Sequence, residues 1–199
     1  MTADIGHARI GVLGGSFDPP HLAHLMVAGE LHSALGLDEV VFVPAGDPWQ
    51  KSTSASAEQR YDMVRLAIDE DVRFRASRID IDREGPTYMV DTLADLHAEN
   101  PHAELFCLIG SDILAGIHTW HEAERLAELA TFVCAVRPGF TPNQPALTGL
   151  AVDFVEVPLM EISSSDIRQR VSEGESIRYL VPDAVADYIA THELYGRTS

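Results

Sequence analysis

Lysine is almost missing from this chain. Lys51 is the only one among 199 residues, and Lys plus Arg number 14 against 31 Asp plus Glu. The formal net charge of −17 argues against broad binding to nucleic acid or to an anionic membrane, both of which need a basic face. Cysteine is scarce too. Cys107 and Cys134 each sit inside a strand-like run, LFCLI and FVCAV, and read as small buried apolar residues. A chain of this size needs no disulfide, so a reducing cytoplasm is the expected setting. No apolar run approaches the roughly 18 residues that a membrane span requires. The start, MTADIGHARI, carries an early acid and no long apolar stretch, unlike a secretory signal.

What remains is an ordinary globular composition, 46% hydrophobic and 23% charged, which excludes disorder. The length suits one domain, residues 1–199, with a small helical part from about residue 163. An anionic small substrate would meet a repulsive overall field. Any anion site must therefore be built locally, from helix N-termini, glycine turns and isolated basic residues.

Apolar runs alternate with helix-period segments. Strands are predicted at 9–13, 39–44, within 72–81, at 105–109, 131–136 and 153–157. Helices are predicted at 21–35, 57–68, 88–97 and 113–130 (with a break near Gly116), then from about Ser164 and about Pro182. This alternation predicts an α/β protein, Rossmann-like and doubly wound. Its mostly parallel sheet is covered on both faces, giving three α/β/α layers. Ligands in such sheets bind beyond the carboxyl ends of the strands. The residues after the first, second, fourth and fifth strands are the places to look.

After the first strand comes Gly14-Gly15-Ser16-Phe17-Asp18. Glycines let a ligand approach the backbone, and they also serve a plain strand-to-helix turn. Neither G-x-G-x-x-G nor a Walker loop is present. Asp18-Pro19-Pro20 predicts a helix start, with Asp18 as N-cap and proline at the first helical position. His21 and His24 then share one face of the first turn, where free N–H groups and partial positive charge collect. Residue types alone leave them open as helix-surface residues, metal ligands, bases or donors to an anion. A zinc site would need further ligands, and H-E-x-x-H is missing.

Ile162-Ser163-Ser164-Ser165-Asp166-Ile167-Arg168 opens a second helix. Its serines cap free N–H groups, and the same groups can hold an anion with Arg168 one turn in. Lys51 follows the second strand and Arg137 the fifth, both at the ligand edge. Trp49 and Trp120 offer ring faces for stacking or for packing.

Together these stretches resemble the nucleotidyltransferase superfamily marked by H-x-G-H and I-S-S-T-x-I-R, and within it the nicotinate-nucleotide adenylyltransferases of NAD biosynthesis. Gly14 to Leu25 and Ile162 to Arg168 carry most of the likeness. Arg83 to Leu93, Phe106 to Asp112, Trp120 and Arg137 to Gly139 add to it. Ala23, Ser165, Ser111 and Met89 stand where that family has Gly, Thr, Ala and Thr. The resemblance implies adenylyl transfer from ATP to nicotinate mononucleotide, giving deamido-NAD and pyrophosphate. The attack is direct and in line, with no covalent enzyme intermediate. Mg²⁺ is held mainly by the substrate phosphates, with no metal ligand from the protein.

It also implies roles. His21 and His24 donate to the ATP phosphates. Ser163, Ser164 and Ser165 with Arg168 hold the β- and γ-phosphates. Gly14 and Gly15, with Ser16 and Phe17, let the phosphates approach, and Lys51 offsets their charge. Asp112 meets a ribose hydroxyl, and Arg137 lies beside the nucleotide. Thr87, Tyr88 and Trp120 frame the pyridine ring. No nucleic-acid or membrane partner is implied, and a homo-oligomer is left open.

Overall fold

The strand-like runs assemble into one sheet of six strands. In the computed structural model, which describes residues 7–140, 142–145, 147, 149–158 and 160–196, the chain runs β1 (Arg9–Gly15), α1 (Leu22–Leu35), β2 (Glu39–Pro44), α2 (Ala57–Ile68), β3 (Phe74–Ala76), α3 (Ile79–Asp82), α4 (Met89–Glu99) and β4 (Glu104–Gly110). It continues through α5 (Ser111–Leu114), α6 (Leu126–Leu129), β5 (Thr131–Val136), β6 (Val152–Glu156), α7 (Ser164–Glu173) and α8 (Asp183–Thr191). The strand order is β3-β2-β1-β4-β5-β6, and every pairing is parallel. The order reverses between β1 and β4, so a crevice opens where their carboxyl ends part.

Alternation along the strands explains the three layers. Val12, Val41, Cys107 and Cys134 point to one face and pack with Leu93 and Leu96 of α4. Leu13, Phe42, Leu108 and Val133 point to the other, against Ala28 and Leu31 of α1 and Val64 of α2. A smaller apolar cluster joins Met63 of α2 to Ile167 of α7 and to Val185 and Ile189 of α8. Both cysteines are buried and free. No described helix is long and apolar enough to cross a membrane.

Three local expectations are corrected. First, α1 does not begin at the prolines. It starts at Leu22 with His21 as N-cap, and Asp18 is bonded elsewhere. Second, the strand within 72–81 shrinks to three residues, because the chain turns into α3 and buries Asp80. Third, the helix predicted over 113–130 has the expected break near Gly116 but breaks further, into α5, two 3-10 turns and α6. Trp120 is extended and Glu122 sits at φ 47°, so the break turns Trp120 out of helical geometry.

One buried cation braces the ligand edge. Arg60 of α2 is 1% exposed. It occupies a slot on the same helix face as Met63 and Val64, where an apolar residue would ordinarily sit. Its guanidinium donates to the carbonyls of Ser16 (2.7 Å), Ala45 (2.6 Å) and Gly46 (3.2 Å), tying the loops after β1 and β2 together. At Gly46 an added Cβ would lie 2.2 Å from the Asp80 carbonyl oxygen, so that loop has no room for a side chain.

Arg60→Ala would leave three half-buried carbonyls without their guanidinium donor and open a cavity. Its unfolding free energy, from urea denaturation, is expected to fall by about 3 kcal/mol or more. A loss under about 1 kcal/mol would show that water or neighbouring groups replace the brace.

Candidate active site

A cavity of about 300 Å³ lies at the carboxyl ends of β1, β2 and β4. Gly14, Gly15, Ser16, Lys51, Thr87, Tyr88, Asp112 and Trp120 all line it, as do Trp49 and His121. The two glycines serve through space rather than unusual dihedrals. Neither is at positive φ, whereas Phe17 is, at 49°. A Cβ on Gly14 would fall 2.6 Å from the methyl of Met89.

One wall is anchored from beneath by Asp80, which is 3% exposed. Its Oδ1 accepts from Thr92 Oγ1 at 2.7 Å and from Arg83 Nη2 at 2.6 Å. Burial raises the Asp80 carboxyl, and these two donors oppose the rise. Thr92 Oγ1 also reaches the carbonyl of Tyr88, the N-cap of α4, at 3.1 Å. Tyr88 is thereby fixed, and its ring stacks on His121 with centroids 4.3 Å apart. Thr87 fixes the opposite loop: its N–H donates to the Asp47 carbonyl (2.8 Å), and its Oγ1 accepts the Asp47 N–H (3.1 Å). Trp49 completes the aromatic rim, 6.0 Å from Tyr88.

The histidines form a second group beside the cavity. Their rings stack at 3.6 Å and 18°. Three of the backbone N–H groups at this helix start are already engaged, contrary to the expectation that they stand free. His21 N–H donates to His24 Nδ1 (3.1 Å), Leu22 N–H to the Leu180 carbonyl (2.9 Å) and His24 N–H to the His21 carbonyl (3.0 Å). What this helix start can still offer is its two imidazoles and the Ala23 N–H. Burial lowers His21 to about 4. Burial, then the charges of His21 and Lys51, holds His24 well below the ordinary histidine range. Both rings are therefore neutral near pH 7. Because His24 Nδ1 accepts a bond, its proton sits on Nε2, which makes Nε2–H a fixed donor. His21 Nδ1 is buried without a partner among the described residues.

The start of α7 docks onto the same turn. Ser164 Oγ donates to the Pro19 carbonyl at 2.8 Å, and Arg168 Nη1 donates to the Asp18 carbonyl at 2.8 Å. Arg168 Nη2 also reaches Ser165 Oγ, at 3.3 Å. Ser163 accepts the Asp166 N–H at 3.1 Å, the predicted cap, and donates to the Asp166 carboxylate at 2.7 Å. The N–H groups of Ser164 and Ser165 lie in the first turn, which has no intrahelical acceptor for them. The structure thus gathers the two helix starts at one edge.

Arg137 is not gathered with them. It is 60% exposed, pairs with Glu161 at 2.8 Å and does not line the cavity. Arg60, Asp80 and Thr92, by contrast, organise the site and were not singled out from the sequence, and Asp18 was singled out only as a helix cap, which it is not. Only Arg60 left a local signal there, a charge in an apolar stripe. Among the described residues, no group of three or more His, Cys, Asp or Glu is arranged to hold a metal ion.

Known proteins resemble this chain in sequence and fold. The pattern of the cytidylyltransferase-like family matches residues 12–170. A probable nicotinate-nucleotide adenylyltransferase of Streptomyces coelicolor is 52% identical over 185 residues, covering 92% of this chain and 98% of its own. One of Leifsonia xyli is 50% identical over 187 residues, covering 94% of each chain. Among solved structures, Plasmodium falciparum nicotinic acid mononucleotide adenylyltransferase complexed with NaAD aligns with a TM-score of 0.79 at 24% identity, over 95% of this chain and 98% of that one. The match over residues 12–170, with half-identical relatives spanning more than nine-tenths of the chain, means that the chain belongs to the cytidylyltransferase-like family, in its nicotinate-nucleotide adenylyltransferase branch.

Proposed function

We propose that the chain transfers the adenylyl group of ATP to nicotinate mononucleotide, forming deamido-NAD and releasing pyrophosphate. The observation that carries this reading is the docking of two helix starts on one turn at the switch point of the sheet. Together they bring His24, the first turn of α7 and Arg168 to one turn of the chain. Such a set of donors suits a polyphosphate. The cavity beside it, walled by Thr87, Tyr88 and Trp120 and rimmed by Trp49, suits a flat ring and its ribose.

In this reading a phosphate oxygen of the mononucleotide attacks the α-phosphorus of ATP. The new O–P bond forms as the bond to the bridging oxygen of pyrophosphate breaks. The protein's part is to align the two and to offset charge on the leaving group. His21 and His24 donate to the phosphates as neutral rings. Ser163, Ser164 and Ser165, with Arg168, hold the β- and γ-phosphates, while Lys51 offsets charge across the cavity. Gly14, Gly15, Ser16 and Phe17 form the surface on which the phosphates lie, and Asp112 meets a ribose hydroxyl. The hydroxyls of Ser163 and Ser164 are committed to Asp166 and Pro19. Burial raises both cysteine thiols inside the sheet. The donor set near the phosphates is neutral apart from Lys51 and Arg168, which fits Mg²⁺ carried by the substrate phosphates. The ion would supply further charge neutralisation.

His24→Ala and Arg168→Ala are each expected to lower pyrophosphate release from ATP and nicotinate mononucleotide by about a hundredfold or more. Turnover like that of the native chain in both variants would contradict the assignment.

The depressed pKa of His21 has a consequence for stability. Its folded value, about 4, lies below its unfolded value of 6.5. Protonation therefore favours the unfolded chain. The folding free energy of the ligand-free protein should be constant on this account above pH 6.5 and decline as pH falls through about 4, by roughly 3 kcal/mol from His21 alone. Ring NMR signals of His21 that titrate near pH 6.5 in the free protein would overturn the neutral-donor picture.

A further inference from the structure

Tyr195 lies 177 residues beyond Asp18, yet its hydroxyl donates to Asp18 Oδ1 at 2.7 Å. Its backbone sits at φ 63°, a region tyrosine seldom enters and keeps only where its surroundings fix it. The carboxylate it meets is 2% exposed. The same carboxylate accepts the Ser54 N–H (2.7 Å) and the Ala55 N–H (3.1 Å), three and four residues past Lys51. The backbone carbonyl of Asp18 takes Arg168. One buried residue thus joins the histidine turn, the stretch behind Lys51, Arg168 and the C-terminal end.

We propose that Tyr195 is a positioning residue for adenylyl transfer, acting through Asp18 to hold the histidine turn, the Lys51 segment and Arg168 at the spacing a triphosphate requires. This rests on the reading of the site given above. A buried carboxylate needs donors for both oxygens. Without the phenol, Oδ1 would keep only the longer Ala55 N–H bond and Oδ2 only the Ser54 N–H, leaving the carboxylate one donor poorer. Arg168 Nη1, already 4.0 Å from Asp18 Oδ2, is a cation within reach of that deficit. Its guanidinium would turn inward, away from the phosphates. The mononucleotide pocket would be spared, because its wall is anchored separately by Asp80 and Thr92.

The test measures pyrophosphate release with ATP and nicotinate mononucleotide varied separately. The proteins are the native chain, Tyr195→Phe, Asp18→Asn and the double variant, and the thermal midpoint of each is recorded. Tyr195→Phe is expected to raise KM for ATP about tenfold, the size of one charge-assisted hydrogen bond, while KM for the mononucleotide stays within about twofold. In the Asp18→Asn background the second substitution should add nothing further to KM for ATP. Should Tyr195→Phe not fold, Asp18→Asn alone must show the same split between substrates. An unchanged KM for ATP, or equal rises for both substrates that follow the thermal midpoint, would overturn the proposal. A native chain that releases no pyrophosphate from this pair would overturn the functional reading, and the proposal with it, before any variant is compared.

Discussion

The turn between β1 and α1 is held in place from outside. Arg60 grips the Ser16 carbonyl, Arg168 the Asp18 carbonyl, Ser164 the Pro19 carbonyl and Tyr195 the Asp18 carboxylate. The Leu180 carbonyl takes the first N–H of the helix that follows. Everything the site can do depends on these bonds. They fix where the imidazoles face, which N–H groups are spent within the fold, and how α7 meets the sheet edge. The C-terminal segments are thereby part of the site, although they lie outside the sheet.

Electrostatics explains why such pinning is needed. A chain carrying −17 repels an anionic substrate at long range. It compensates at short range with donors whose directions are set in advance. Neutral imidazoles are well suited to this. Their burial removes a charge that would be costly without ligand, yet one N–H remains to donate. In the proposed reading Lys51 and Arg168 supply the formal positive charge; Asp18 holds Arg168 directly and the Lys51 segment through Ser54. Arg60 is too deeply buried to meet a ligand, so its charge serves the frame and not the substrate.

Much of this was legible in the sequence, for physical reasons. β1, β2, β4 and β5 are buried on both faces, so they read as continuous apolar runs. The start of α7 was legible because a serine cap is a local bond, three residues long. Asp18 was misread because its real partners lie 36, 37 and 177 residues away, beyond any local pattern. In the segment after β4 the break near Gly116 was legible because glycine marks it, whereas the second break, at Glu122 with positive φ, leaves no such mark in the sequence. Thr87, Tyr88 and Trp120 do converge on the cavity. The bonds that hold Tyr88, from Thr92 and Asp80, and Thr87, from Asp47, show only in the folded chain. Arg137 stands at the expected edge, but Glu161 takes its guanidinium.

The central claim is that this chain supplies aligned donors and no nucleophile. The most direct measurement is stereochemical. ATP bearing sulfur at one configuration of the α-phosphorus is converted with nicotinate mononucleotide, and the configuration of the product is read by phosphorus NMR. A single in-line displacement predicts inversion. Retention would require two displacements through a group on the protein, and would contradict the account.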